Sequence, residues 1–221
     1  METMLDLSLR LCRAARRMPA ESFQDAALAA LGSHVRFEAA VWFAGELGRG
    51  VFHFHCLHTW GLPPEACKQI VTVNRRFPRP MELAAGSPGV PHAFRALEVY
   101  SGPGSAVALE HARRWRIERQ LLIAHAESGA ASGEWLSLHR SDGGEPFSDA
   151  DRAVVRQIMP HLSEARAVSR ALSPATVSSE PFFARSTHRA LTLLDGAMLH
   201  CGRKPSESTV AERTDWNARP D

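Results

Sequence analysis

The chain has 221 residues, with 26 Lys plus Arg against 24 Asp plus Glu and a formal net charge of +2. So even a balance gives no electrostatic basis for binding nucleic acid or a membrane surface, and a chain of this length buries enough apolar surface to fold without disulfide staples. The four cysteines (Cys12, Cys56, Cys67, Cys201) form no CxxC pair, Glu2 and Arg10 break any secretory-leader pattern, and no run approaches the roughly 18 apolar residues of a membrane span.

A cytoplasmic chain with reduced thiols is therefore expected. Met4, Leu7, Leu11, Ala14 and Met18 recur at spacings of 3 and 4 and predict an amphipathic helix over 3–18. Arg10, Arg13, Arg16 and Arg17 lie around it and read as a solvated face. After Pro19 a second helix is expected from Ala20 to Leu31, ended by Gly32. The period then changes. AAVWFAG (39–45) and VFHFHCL (51–57) read as two strands, with GELGRG as the turn of a hairpin.

Pro63 and Pro64 suit the first turn of a helix over 63–76. Residues 77–104 show little period and several Pro and Gly, so a long loop with one helical turn around HAFRAL is expected. A helix over 105–115 precedes a second hairpin, RQLLIAHAE (119–127) and EWLSLHR (134–140). Ser148 and Asp151 form a capping box at the head of a long helix over 148–172. Val155, Ile158, Leu162 and Ala165 make a regular 3-4 seam along it, which reads as a signalling surface packed against the helix over 3–18 or across a dimer. Pro160, inside this helix, predicts a kink. Residues 173–189 read as a linker. Residues 190–221 read as a further hairpin around Asp195-Gly196 with an irregular polar tail.

Residues 133–172 carry a sharper pattern: Leu136 to Arg140, a short Asp/Gly turn, Pro146-Phe147-Ser148, Asp151-Arg152, and Pro160-His161-Leu162 within the helix. This series resembles the end of the GAF-like sensor region of LuxR-type transcriptional regulators, and residues 190–216 loosely resemble the PAS-like opening hairpin that follows there. The resemblance implies an α+β fold, a GAF/PAS-like antiparallel sheet flanked by N- and C-terminal amphipathic helices. It divides the chain into a sensor domain (1–172), a linker (173–189) and a partial PAS-like hairpin with an irregular tail (190–221). It also implies an unidentified small-molecule ligand, a homodimer, no cofactor, and contact with DNA only through a helix-turn-helix domain. No closely spaced helix pair with a basic recognition helix follows residue 172.

HFHCLH (53–58) is the densest group of chemistry-bearing residues. Strand alternation places His53 and His55 on one face with Leu57, and Phe52, Phe54 and Cys56 on the other, the face expected to pack on the terminal helices. Cys56 therefore cannot join the two imidazoles around one ion; His125 and His139 of the second hairpin are the candidates to complete a metal site. The alternative is a ligand pocket on the same face, lined by Trp42, His53, His55, Trp115, Ile123, His125, Trp135 and Ser137, where polar groups find partners in a bound molecule. The histidines could equally be solvated. No GxSxG, HExxH or P-loop is present, and SGPGSAV (101–107) lacks the third glycine of a dinucleotide loop, so no catalytic residues are expected. The readings that remain are a ligand sensor, a small metal-dependent enzyme using His53 and His55, and a ligand-free interaction module.

Overall fold

The computed structural model of the chain describes residues 3–48, 51–126 and 132–172, and the backbone of 191–194 and 197–202. Two helices, α1 (Met4–Arg17) and α2 (Ala20–Leu31), lead into a hairpin of β1 (Ala39–Gly48) and β2 (Val51–Trp60). Then come α3 (Pro64–Arg76), α4 (Arg79–Ala85), β3 (His92–Arg95), α5 (Ala96–Val99) and α6 (Ser105–Arg114). A second hairpin of β4 (Arg119–His125) and β5 (Ser132–Arg140) is followed by the long helix α7 (Asp149–Leu172). Strands β3, β4, β5, β1 and β2 form a continuous antiparallel sheet in that order. The backbones of β6 (Leu191–Leu194) and β7 (Ala197–Gly202) pair with each other as a hairpin, and β7 lies parallel to β2 at the end of this sheet. The expected turn at Asp195-Gly196 and the linker 173–189 lie outside the described residues.

Each face of the sheet carries its own core. On one face, Ala40, Trp42, Leu121, Ile123, Leu136 and Leu138 pack against Leu7 and Leu11 of α1, Phe23 and Leu28 of α2, and the α7 seam. On the other, Val41, Phe43, Phe52, Phe54, Leu57, Leu122 and Trp135 pack against α3, α4 and α6. This three-layer arrangement follows from alternation, because both sets of side chains on β1, β4 and β5 are too apolar to leave in water.

Two capping boxes fix helix starts. Asp6 N–H donates to Thr3 Oγ1 (3.2 Å) and Thr3 N–H to Asp6 Oδ2 (3.0 Å) at α1. The box expected at Ser148 and Asp151 forms at α7, at 2.7 and 3.1 Å. Arg140 ties the end of β5 to the same place. Its guanidinium donates to the carbonyls of Arg36 (2.8 Å), Glu145 (3.1 Å) and Pro146 (2.9 Å), reaches Asp151 Oδ2 (3.3 Å) and lies 4.0 Å over the Phe147 ring.

Four expectations are corrected. Residues 77–104 are not a loop with one turn. Pro78 and Pro80 open α4, and His92–Arg95 is an edge strand on β4, too short to show a period. Strand β1 runs on through Gly45 instead of turning there. Gly45 sits at a β-bulge, where Ala44 pairs with Cys56 and Gly45 with Phe54, leaving His55 unmatched. A Cβ on Gly45 would fall 2.4 Å from the His53 carbonyl oxygen, so the close approach admits only glycine. Cys67 is disulfide-bonded, whereas the sequence reading has all four thiols reduced; Cys12 and Cys56 are free. Finally, of the two expected partners for Val155, Ile158, Leu162 and Ala165, the N-terminal helix is the one observed: they are at most 1% exposed, packed against α1 and the sheet, and present no surface to a second subunit. The helix itself runs unbroken through Pro160, which is exposed.

Because the α7 seam is interior, Ile158→Asp or Leu162→Asp should cost more than about 4 kcal/mol, the range for an uncompensated buried carboxylate, and abolish the cooperative urea transition. A variant that stayed folded and merely ran as a smaller species in sedimentation would show the seam to be an intersubunit surface after all.

Candidate functional site

A small cavity of about 20 Å³ lies between the sheet and the α3–α6 layer. Val41 and Phe43 of β1, Gln120 of β4, and Ser137 and His139 of β5 form its floor. Ile70, Val73 and Asn74 of α3, Met81 of α4, Tyr100 after α5, and His111 and Ala112 of α6 close over it, with Ile117 at the side. Strand register brings the floor together: Ser137 lies between Val41 and Leu122, and His139 between Ala39 and Gln120.

Much of this lining is polar yet buried. Ser137 and His139 are each 4% exposed. Neither the Ser137 hydroxyl nor either His139 ring nitrogen has a hydrogen-bond partner among the described residues. An unmet buried polar group costs about 1–3 kcal/mol, so the floor is a place where a polar guest is favoured. Burial, and the nearby His111, push the His139 pKa down to about 3, with the Ile117 main chain offering a weak pull the other way, short of a full hydrogen bond. Burial lowers His111 to about 4 and raises Tyr100 to about 12, the latter only slightly offset by a side-chain hydrogen bond with Gln120. At neutral pH both imidazoles and the phenol are uncharged, and no Asp, Glu, Lys or Arg lines the cavity.

On the outer side, His111 Nδ1 meets Gln69 Oε1 at 3.1 Å, and Trp115 Nε1–H donates to the same oxygen at 2.8 Å. Since that oxygen accepts from both, His111 carries its proton on Nδ1 and keeps Nε2 as an acceptor.

The eight residues expected to share one face do not. Ser137 lines the cavity. Trp135 is on the same face, stacked on Phe43 at 5.7 Å and 6°. Trp115 is half-buried at the end of α6. Trp42 points to the other side, beside Phe23, with its Nε1–H donating to Glu134 Oε2 at 3.2 Å. Ile123 is buried on that side as well, and His125 sits half-buried at the end of β4, opposite Glu134. His53 and His55 are exposed to solvent.

Register is the physical reason on β1, β4 and β5: Trp42 and Ile123 both pair with Leu136, whereas Trp135 and Ser137 lie one residue out of phase, on the other face. On β2 the bulge shifts the alternation, so Phe52, Phe54 and Leu57 share the cavity-side core, while Cys56, His58 and Trp60 face the terminal helices. There Cys56 Sγ accepts from Arg166 (2.7 Å), and His58 Nε2 lies 3.0 Å from Asp25 Oδ1. Among the described residues no three His, Cys, Asp or Glu side chains converge to hold a metal ion.

His111, Gln120, Tyr100 and Asn74 were missed. The signals were present but faint: Ala108, His111 and Ala112 share a helical stripe, and Gln120 alternates in step with the buried Leu122 and Ala124.

Solved structures show the same architecture. The N-acylhomoserine lactone dependent LuxR family transcription factor CepR2 of Burkholderia cenocepacia superposes with a TM-score of 0.54 and 16% identity, over 76% of this chain and 97% of that one. Escherichia coli SdiA superposes with a TM-score of 0.51 and 11% identity, over 84% and 75% of the two chains. A GAF domain of a phosphoenolpyruvate-protein phosphotransferase from Coxiella burnetii is also similar, with a TM-score of 0.47 and 16% identity over 76% and 95%. The chain has the GAF-like fold of LuxR-type sensor regions. No protein-family profile and no curated protein matches its sequence. Arg140 and Asp151 of the motif singled out in the sequence meet at the start of α7. Among the described residues no helix is long and apolar enough to cross a membrane.

The depressed histidines make stability depend on pH with a definite sign. The unfolded chain binds protons at these rings below about pH 6.5, while the folded chain holds them neutral until about 4 and 3. Stability is therefore greatest above 6.5 and falls as pH drops through this window, by up to about 1.4 kcal/mol per pH unit for each ring. Urea titrations between pH 7.5 and 4.5 should show a shallower fall for His139→Gln; equal slopes would mean that the His139 ring is hydrated.

Proposed function

We propose that the chain is the ligand-sensing region of a LuxR-type transcriptional regulator, and that its ligand is an uncharged small molecule whose hydrogen-bonding group meets Ser137 and His139. The observation that carries this reading is the pair of buried polar side chains, without hydrogen-bond partners among the described residues, at the floor of a charge-free cavity. CepR2, whose fold this chain shares, depends on N-acylhomoserine lactones, and that class is the first to test. In this reading the chain is no enzyme. It acts in the cytoplasm as a homodimer, and any DNA contact belongs to a helix-turn-helix domain beyond the residues present here. Residues 1–172 are the sensor and 190–221 the start of a PAS-like unit.

The mechanism is a population shift. Strand β5 carries Ser137 and His139 on one face. On its other face Glu134 Oε1 accepts from Arg166 of α7 (2.7 Å) and Glu134 Oε2 from Ser163 (3.0 Å). A guest that bears differently on two settings of β5 biases the seating of α7, and through it α1.

The test is a thermal-shift series over N-acylhomoserine lactones of increasing chain length. A ligand at a hundred times its Kd adds about 2.7 kcal/mol, or roughly 5–10 °C in a domain of this size, and the shift should vanish in His139→Phe. A shift that persists in that variant would locate the ligand elsewhere, and none across the series would remove this ligand class.

A further inference from the structure

The cavity is far too small for a whole small molecule. About 20 Å³ admits a group little larger than water, whereas sites for small molecules begin near 300 Å³. Space of the right size lies just outside. A groove of about 360 Å³ runs between α3 and α6, walled by Lys68, Gln69, Thr72 and Val73 on one side and Val107, Glu110, His111 and Arg114 on the other, so its rim is charged and its floor apolar. Two of these residues, Val73 and His111, also line the cavity, so the two spaces share a wall. The side chains of Val73 and His111 make up that wall. The His111 ring is fixed by its bond to Gln69, whose oxygen is in turn held by Trp115. The groove also offers apolar surface: Val107 is 56% exposed, a solvated valine facing the buried Val73.

We propose that the α3–α6 groove is the outer compartment of the ligand site, and that His111, latched to Gln69, is the door between it and the cavity. The proposal rests on the reading of the cavity as a ligand site. It assigns the ligand an uncharged head at Ser137 and His139 and an apolar body lying along Val73 and Val107. It also assigns the entry route, through the seam of α3 and α6. Because His111 is neutral at physiological pH, swinging its ring moves no charge into the cavity.

The route can be tested without knowing the ligand. A thiol is introduced at the cavity floor by Ser137→Cys, in a background carrying Cys12→Ser and Cys56→Ser, and its modification by methyl methanethiosulfonate is timed against the same background without Ser137→Cys. Gln69→Ala, which releases the latch, should speed labelling at least tenfold. Thr72→Trp, which fills the groove from an exposed position and removes no contact between elements, should slow it at least tenfold. Melting temperatures taken alongside show whether either change acts by loosening the whole fold. Should Gln69→Ala prove unstable, Thr72→Trp decides alone. Labelling indifferent to Thr72→Trp, or equal in every variant to the rate of global unfolding, overturns the proposal. These rates do not depend on whether N-acylhomoserine lactones bind, so the route and the ligand class fail separately.

Discussion

From Trp135 to Arg140 every residue of β5 is buried, on whichever face it points. Neither side of this strand can look to water for hydrogen bonds, so each polar group on it must be answered by the protein or by a guest. The side facing α7 is answered in full at its two ends. Glu134 accepts from Trp42, Ser163 and Arg166, and Arg140 donates to three carbonyls and a carboxylate. The side facing α3–α6 is not. Ser137 and His139 sit buried in the same strand, with donors and acceptors unmet among the described residues. That asymmetry gives the two faces different work, one to hold the terminal helices and the other to hold a ligand.

A single strand serving both faces is also the shortest mechanical link between them. Removing a buried partner such as Arg166 would strand Glu134 and Trp42 together, the kind of loss that costs several kcal/mol. The network is therefore stiff, and a displacement of β5 at Ser137 cannot easily be absorbed before it reaches Glu134 and α7. The α3–α6 layer meets the sheet mainly through apolar packing, with Thr59 Oγ1 3.0 Å from Cys67 Sγ and a side-chain hydrogen bond between Tyr100 and Gln120, while His111 joins α6 to α3 at Gln69. The fold thus joins two helical faces across a common sheet.

Most of this architecture was legible from residue patterns. The 3-4 spacing of α1 and α7, the capping box at Ser148, and the two hairpins all follow from local chemistry that the tertiary structure does not override. The site was less legible, for an identifiable reason. The histidine-rich strand 53–58 drew attention by composition, but composition carries no information on facing. A single unmatched residue, His55, opposite the glycine at 45, shifts the phase of β2 and separates Phe52 and Phe54 from Cys56. The residues that do converge, His111 and Gln120 with Ser137 and His139, come from three elements whose juxtaposition depends on strand register. The 3-4 seams of α1 and α7 point to their packing on each other, which the structure shows; that the sheet of the same chain completes the burial, leaving nothing for a dimer, depends on tertiary structure that spacing does not carry.

The central claim, a buried and polar cavity floor on the α3–α6 side of the sheet, is tested most directly by the imidazole nitrogen NMR spectrum of the folded chain followed from pH 7.5 to 5. The account predicts that His139 and His111 remain neutral single tautomers throughout, since burial holds them at about 3 and about 4. A His139 ring that takes up its proton near the ordinary value of about 6.5 would be in contact with water, and the buried floor on which the ligand site rests would not exist.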